Sequence, residues 1–385
     1  MYQLDDAGAA LCADARGIAQ SIAQTHAADV DDKGRFPVEA IDTLRQQGFF
    51  GLALPTDFGG RAQPPRVFAA AVEELAQACA STAMVYVMHV TAAQAILVSE
   101  TLDGRDELLG QIADGQHLTT LAFSERGSRS QFWAPVSKLE QNGAGFVTSA
   151  YKSWVTSANH ADSYVCSAQR PDSESPLDST LYLLRRDAQG TRIDGEFEGL
   201  GLRGNDSAPV VIESVKVGEG DLLTEQGGGA AAMLEVVLPW FVVGTAAMAN
   251  GLCRAASSAT AAHLTSTGFE TDGTMLRDLP NLRVRLAKMN VRTEQSRALL
   301  AFTVGEMEQP NEQTPLYVLQ SRVAALEATL EVTDLAMKAC GGAAFSKHLA
   351  VERIFRDARA GCIMAPTIDH LHEFIGRALT GLPLF

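Results

Sequence analysis

The sequence predicts an α+β protein in which a helical N-terminal part, a central part of short strands and a helical C-terminal part follow one another. Apolar residues recur at helical spacing near the N-terminus, and short β-branched or aromatic runs separated by turn residues fill the middle. After a run of glycines, an alanine- and leucine-rich stretch returns to helical spacing. With 385 residues the chain has material for more than one domain, and we predict the divisions 1–118, 119–225 and 226–385.

The N-terminal part shows the helical pattern in two places. Apolar residues face one side of a helix in the stretch 40–49 and again in the stretch 68–75. Pro37 marks a helix start, since proline is tolerated in a first turn. Between the two helices, L-P-T-D-F-G-G at Leu54–Gly60 predicts a loop.

The central part alternates strand-forming runs with Gly, Asn, Asp and Pro turns. Such regular spacing predicts a compact antiparallel sheet or barrel. The runs are Gly145–Thr148, Ser163–Cys166, Leu181–Leu184 and Val210–Ile212. Gly227–Gly229 then predicts a linker into the C-terminal part.

The stretch Gly228–Leu252 is almost wholly apolar and exceeds the ~20 residues that span a bilayer. It contains Glu235 and Pro239 and has few basic residues at its flanks. A buried helix of a large helical protein explains it better than a membrane span. We therefore expect no membrane partner.

The amino-acid composition limits which binding partners and which cellular compartment are expected. Lys and Arg total 31 against 46 Asp and Glu, a net charge of −15, and no basic run occurs. Nucleic acid is therefore not an expected partner. The six cysteines form no C-x-x-C pair, so no zinc site is expected and a reducing compartment is favoured. The N-terminus shows no secretory signal, and we expect a cytoplasmic protein.

Five segments carry a resemblance to a known family. They are F-P-V-E-A-I-D-T-L-R-Q-Q-G-F-F-G-L-A-L-P-T-D-F-G-G (Phe36–Gly60), A-F-S-E-R-G-S-R-S-Q (Ala122–Gln131, the serine motif), K-S-W-V-T-S (Lys152–Ser157, the tryptophan motif), C-G-G-A-A-F (Cys340–Phe345, the glycine motif) and F-R-D-A-R-A-G-C-I-M-A-P-T (Phe355–Thr367, the arginine motif). In order and place, together covering nearly the whole chain, they resemble the acyl-CoA dehydrogenase family. Each taken alone is also compatible with an ordinary turn, strand or helix.

The resemblance implies an N-terminal helical domain, a central β-barrel-like domain and a C-terminal four-helix bundle. It implies FAD bound between domains and subunits of a homotetramer or homodimer. It also implies an acyl thioester substrate, on coenzyme A or a carrier protein, and an electron acceptor such as an electron-transfer flavoprotein or oxygen.

The cofactor-binding residues are carried over motif by motif. Trp154 would lay a flat apolar face beside the flavin, and the Thr156 hydroxyl would bond the ring edge. Paired glycines would let the backbone approach the FAD of a neighbouring subunit closely. The full set that the resemblance implies is Phe123, Ser124, Ser130, Trp154, Thr156, Gly341, Gly342, Thr367 and Asp369.

One position departs from the family in a way that affects the chemistry. Where related proteins carry the glutamate that removes the α-proton of the thioester, this chain has Ala365, followed by Pro366 in place of glycine. Alanine cannot accept a proton. The resemblance therefore implies a flavin dehydrogenase whose usual base is missing from its usual place.

A relocated base has two candidates. Glu235 is the only ionisable residue of the apolar stretch 230–252, the helix on which some family members carry the base. Its alternative is an acid at a helix start or on the surface. Asp369 lies one turn beyond Ala365, but it aligns with a residue that usually bonds FAD. We expect Glu235 first and Asp369 second.

Three functions follow. The first is flavin-dependent α,β-dehydrogenation of an acyl thioester with a relocated or altered base. The second is a different flavin reaction, either monooxygenation or expulsion of a leaving group, in which Ala365 provides room for substrate. The third is a non-catalytic family member, against which the retained tryptophan motif and Thr367 argue.

Overall fold

The N-terminal part is helical, as predicted, in a computed structural model that describes residues 1–384. Asp5 caps the first helix by accepting a hydrogen bond from the Gly8 amide at 2.7 Å, and Gly34 ends the second in a left-handed conformation. The elements are α1 Asp6–Ile18, a π-helical turn Ala19–Ala23, α2 Gln24–Lys33, α3 Val38–Gln46, α4 Pro65–Ala78, α5 Ala80–Leu97 and α6 Arg105–Ala113.

The central part contains two small sheets, so the predicted sheet domain between the two helical parts is confirmed. The strands are β1 Thr119–Ala122, β2 Leu139–Asn142, β3 Gly145–Val155, β4 Ser163–Gln169, β5 Ser179–Arg185, β6 Thr191–Ile193 and β7 Ala208–Val217. The sheet orders are β1-β4-β5 and β2-β3-β7-β6. The expectation of purely antiparallel pairing is wrong for β1, which runs parallel to β4. Alternation of side chains predicts which face of a strand is buried, but it does not specify the pairing partner.

The C-terminal part is helical again. Three long helices, α8, α9 and α10, pack against one another, and α12 and α13 both pack on α10. The elements are α7 Gly229–Ala232, a π-helical turn Met233–Val237, α8 Leu238–Ser266, α9 Pro280–Glu308, α10 Thr314–Cys340, α11 Gly342–Phe345, α12 Val351–Ile363 and α13 Ile368–Leu379. The predicted order of helices, strands and helices is confirmed.

Two helical segments are long and apolar enough to cross a membrane by length and composition alone. In Ala80–Leu97, 94% of the apolar window is buried inside the protein, and in Gly229–Ser266 the share is 56%. Their packing explains their composition, because a helix that is apolar all round is stable in the core of a large protein.

The arginine motif joins the three parts of the chain. Arg356 in α12 forms an ion pair with Asp31 of α2 at 2.5 Å and donates to the Leu200 carbonyl at 2.9 Å. Asp357 is buried and accepts a hydrogen bond from the Leu202 amide at 2.7 Å. Burial raises the pKa of Asp357 to about 6. The motif therefore fixes how the helical parts pack around the loop before β7.

Two buried histidines bond to strands of the central part, His89 from α5 and His117 from the segment before β1. The Thr119 amide donates to Nδ1 of His89 at 3.2 Å, and Nε2 of His117 lies 2.8 Å from the Ser163 hydroxyl. Burial lowers the pKa of His89 to about 3 and that of His117 to about 4. Both rings are therefore neutral in the folded protein at pH 7.

We predict that the protein loses stability between pH 6.5 and pH 4. The unfolded chain binds protons at histidines near pH 6.5, whereas the folded protein cannot, so protonation favours unfolding as the pH falls. His117 contributes roughly 3 kcal/mol to this loss, at about 1.4 kcal/mol per pKa unit. In urea unfolding at pH 7 and pH 4.5, His117→Gln should reduce the loss. The exposed His348 gives the control variant His348→Gln, and an equal effect of both variants would contradict the assignment.

Candidate functional site

An open pocket of about 470 Å³, continuous with solvent, lies where the three parts of the chain meet. Helix α5, the segment after β1, strand β3, the start of α8 and the loop between α12 and α13 each contribute to its wall. The lining residues are Met88, Leu121, Phe123, Ser124, Phe132, Ser153, Trp154, Val237, Leu238, Phe241 and Ala365. Apart from Ser124, Ser153 and Trp154, every lining residue has a wholly apolar side chain.

The serine motif and the tryptophan motif are bonded to each other at one side of the pocket. The Ser153 amide donates to the Ser124 carbonyl at 2.7 Å, and the Arg126 amide donates to the Tyr151 carbonyl at 3.0 Å. These bonds extend β3 onto the segment that follows β1. They hold Ser124 and Ser153 side by side at the pocket wall.

A buried ion pair fixes the same two motifs. Nζ of Lys152, fully buried, donates to Oε1 of Glu125 and to the Ser167 carbonyl, each at 2.6 Å. Glu125 also accepts hydrogen bonds from the amides of Val136 and Ser137, at 2.6 and 2.8 Å. Burial by itself would raise the pKa of Glu125, but Lys152 and the Ser137 bonds outweigh it and lower that pKa. The ionised carboxylate thereby holds the two ends of the segment from Glu125 to Ser137 together and fixes them to Lys152 of β3.

Trp154 is held in an unusual backbone conformation. Its φ of +56° lies in the left-handed region, where bulky side chains are rare. The pairing of β3 with β7 shifts register between Lys152 and Val155, so Trp154 lies in a β-bulge. The side chain is 68% exposed and lines the pocket. Strained residues of this kind concentrate at ligand sites, and the bulge turns the indole ring out of the sheet.

The other predicted cofactor residues divide between the pocket and its surroundings. Phe123 and Ser124 line the pocket. Thr156 is buried with its hydroxyl 3.3 Å from that of Ser207, outside the lining. Ser130 is half-buried in the loop after β1 and does not line the pocket. Thr367 caps α13, where its hydroxyl accepts a 3.4 Å hydrogen bond from the His370 amide.

The glycine motif lies at the end of α10 on an open surface. Gly341 ends the helix with a φ of +55°, which favours glycine. A Cβ added at Gly341 or Gly342 would meet no atom within 4 Å. Both glycines therefore leave room at the surface, away from the pocket lining.

The structure separates Glu235 and Asp369, the two candidates for the base, from Ala365. Ala365 lines the pocket, while Glu235 and Asp369 are exposed and do not. The exposure of Glu235 agrees with the alternative given above, an acid on the surface near a helix start. The π-helical turn Met233–Val237 changes the periodicity ahead of α8 and leaves Glu235 at the surface. Within residues 1–384, no carboxylate lines the pocket.

Sequence reasoning missed several residues of the site. Met88, Phe132 and Phe241 read as ordinary core residues, because only the fold brings them to one pocket. A further missed residue is Arg322, a fully buried arginine in α10. Its Nη2 donates to the carbonyl of Met364, the residue before Ala365, at 3.1 Å. A lone charge inside the apolar stretch V-L-Q-S-R-V-A-A-L was the available signal.

Similarity to known proteins covers nearly the whole chain. Family models match at residues 6–116 (acyl-CoA dehydrogenase, N-terminal domain), 120–215 (middle domain) and 227–380 (C-terminal domain). A probable acyl-CoA dehydrogenase of Mycobacterium leprae is 22% identical over 382 residues, 98% of this chain and 97% of that protein.

Solved structures share the fold. Butyryl-CoA dehydrogenase from Megasphaera elsdenii superposes with a TM-score of 0.93 at 21% identity, covering 98% of this chain and 99% of that chain. The FAD complex of PigA superposes with a TM-score of 0.90 at 17% identity, covering 98% of each chain.

We predict that Lys152→Met destabilises the protein by about 3 kcal/mol, because it leaves the Glu125 carboxylate buried without a cation. The double variant Lys152→Met/Glu125→Gln should recover part of that loss. Urea unfolding at pH 7 measures both. Arg170, whose partner Asp178 is half-exposed, provides the control Arg170→Met, expected to cost less than about 1 kcal/mol. Equal losses for the Lys152 and Arg170 single variants would refute a structural role for the buried pair.

Proposed function

Because the chain belongs to the acyl-CoA dehydrogenase family, we propose that it is an FAD-dependent oxidoreductase acting on the α,β carbon–carbon bond of an acyl thioester. The observation that supports this most directly is the pocket itself. It places the exposed, strained Trp154 and the Ser124 hydroxyl beside an apolar chamber formed by α5 and α8. Such a chamber suits a flat aromatic cofactor and an acyl chain.

The residues present fit FAD. The exposed Trp154 ring offers an apolar face that a flavin would cover, and Ser124 and Ser153 offer hydrogen-bonding groups beside it. Phe123, Ser130, Thr156, Thr367 and Asp369 complete the proposed set around the ring, while Gly341 and Gly342 would face the FAD of another subunit. When bound, FAD supplies the two-electron acceptor. No group of three or more His, Cys, Asp or Glu residues suited to a metal occurs in the described chain.

The protein's own residues would bind the acyl group and exclude water. Met88 and Leu121 from one side, with Leu238 and Phe241 from the other, form a wall that contacts hydrocarbon favourably. Water excluded from this wall cannot compete for the polar end of the substrate at Ser124 and Ser153. The chamber thereby orients the reacting carbon toward the exposed indole side of the pocket.

We propose Glu235 as the base that removes the α-proton, with Asp369 as the weaker alternative. Glu235 belongs to the same π-helical turn as the pocket-lining Val237, and such turns are frequent at functional sites. A base must come within hydrogen-bond reach of the proton that it removes. Since Glu235 is exposed in this structure, its role requires the turn to repack around bound substrate.

A second candidate function is supported by the pocket wall. The methyl group of Ala365 lines the pocket, and the lining supplied by residues 1–384 holds no carboxylate. Monooxygenation, or expulsion of a leaving group from the substrate, needs no α-proton removal at this wall. Oxygen consumption coupled to a separate flavin reductase would favour this reaction over dehydrogenation.

The remaining assignments are part of the same proposal. The thioester is carried by coenzyme A or by a carrier protein, and electrons leave to an electron-transfer flavoprotein or to oxygen. Large apolar side chains at the surface, including Phe345 at 84% and Ile363 at 76% exposure, support burial against other copies in a homotetramer or homodimer. We propose a cytoplasmic location.

We predict that anaerobic addition of acyl thioesters removes the visible absorbance of the bound flavin, and that Glu235→Gln slows this by at least about 100-fold, the usual contribution of a general base. Stopped-flow absorbance measures the rate. Glu225, also exposed and outside the pocket, gives the control Glu225→Gln, expected to react at the wild-type rate. A Glu235→Gln rate equal to wild type would exclude Glu235 as the base, and no reaction with any thioester would exclude dehydrogenation.

A further inference from the structure

Arg322 is a buried cation without a carboxylate partner. Its side chain in α10 is fully buried, and its guanidinium lies 4.9 Å from the centre of the Phe241 ring. Nη2 donates to the Met364 carbonyl at 3.1 Å, whereas Nε and Nη1 have no hydrogen-bond partner. No carboxylate of the described residues forms an ion pair with it. Lys152, the other fully buried cation described above, is paired with the carboxylate of Glu125.

An unpaired buried charge carries a high free-energy cost, so its retention requires an explanation. Met364 caps the C-terminal end of α12, whose exposed carbonyls carry a partial negative charge. The hydrogen bond to the Met364 carbonyl uses one of the five guanidinium N–H groups. Nε and Nη1 have no hydrogen-bond partner. Burial lowers the pKa of Arg322 to about 9, so the side chain remains charged at neutral pH.

The charge lies directly behind the pocket. Phe241 and Ala365 line the pocket, and Phe241 and Met364, the residue before Ala365, both contact the guanidinium. The Met364 carbonyl oxygen is about 3 Å from the Cα of Ala365 by peptide geometry, so Nη2 lies within about 6 Å of that Cα. Ala365 offers only a methyl group there. One layer of protein therefore separates the cation from whatever fills the pocket.

We propose that the pocket accepts an acyl group that carries a carboxylate, with its negative charge against the wall formed by Phe241 and Ala365 and balanced by Arg322. An anion at this wall would supply the countercharge that the protein itself does not provide. In a medium of low effective dielectric constant, attraction across one side-chain layer is substantial. The acyl part of this inference rests on the proposed function, whereas the selection of an anion stands on the geometry of Arg322 alone.

The test compares an anion with a neutral molecule of the same shape. Butyrate and butyramide are titrated by calorimetry into the FAD-loaded protein, with inorganic phosphate as a third ligand. We expect wild type to prefer butyrate. Arg322→Met should weaken butyrate about tenfold and leave butyramide unchanged. Arg322→Lys, which keeps the charge, should stay within about threefold of wild type.

Arg359 supplies a matched control. It lies in α12 and donates in the opposite direction, to Thr333 of α10, but its guanidinium is paired with Asp334 and does not line the pocket. Arg359→Met should bind both ligands like wild type. Equal weakening of butyrate and butyramide by Arg322→Met would assign Arg322 to helix capping and overturn the proposal. Phosphate binding as tight as butyrate would overturn the requirement for an acyl group.

A second pair of variants covers the case in which Arg322→Met does not fold. Ala365→Glu and Ala365→Gln add side chains of equal size to the pocket wall, but only the first adds a negative charge beside Arg322. We expect Ala365→Glu to abolish butyrate binding and Ala365→Gln to retain more of it. Equal binding by the two variants would overturn the proposal.

The binding test of the carboxylate inference and the flavin-reduction test of the proposed function can fail independently. Failure of every acyl thioester to reduce the flavin, with the preference for butyrate intact, would contradict only the dehydrogenase assignment. Reaction with acyl thioesters in a protein that prefers butyramide to butyrate would contradict only the carboxylate inference.

Discussion

The buried ion pair between Glu125 and Lys152 is the interaction on which the side of the pocket formed by Ser124 and Trp154 depends. Ser124 precedes the carboxylate in sequence, and Trp154 follows the lysine closely in β3. Because the pair is buried and each partner makes further hydrogen bonds, small shifts of β3 or of the segment after β1 would leave a buried charge unsatisfied. The strained conformation of Trp154 persists because this framework holds the residues on both sides of the bulge.

A second set of contacts places the loop that carries Ala365 against that framework. Arg356 bonds to α2 and to the loop before β7, and Asp357 bonds to the same loop. Helix α12 is therefore fixed relative to the other two parts of the chain, and the loop that follows it carries Ala365 into the pocket. Arg356 and Asp357 of the arginine motif act through packing. Their effect on the pocket is to position Ala365, which lies further along the same motif.

The sequence predicts features that depend on interactions between neighbouring residues better than features that depend on residues far apart in the chain. Periodicity and turn residues predicted the order of helices and strands, because both report on local structure. They could not predict the parallel pairing of β1 with β4, which depends on where the chain enters from the helical part. The sequence left open whether Glu235 lies inside the helix or at the surface, because periodicity cannot locate a π-helical turn ahead of α8. Arg322 was visible as a lone charge, but only the fold shows that no acid reaches it.

Ala365 and Arg322 together bear on the charge that the pocket can accept. Ala365 lines the pocket with a methyl group, and the Arg322 guanidinium lies one layer behind it, bonded to the Met364 carbonyl. Within the described residues the cation therefore has no countercharge behind an apolar wall. The physical requirement for a counterion is then transferred from the protein to its ligand. On the carboxylate inference drawn above, Ala365 affects which charge the pocket can accept.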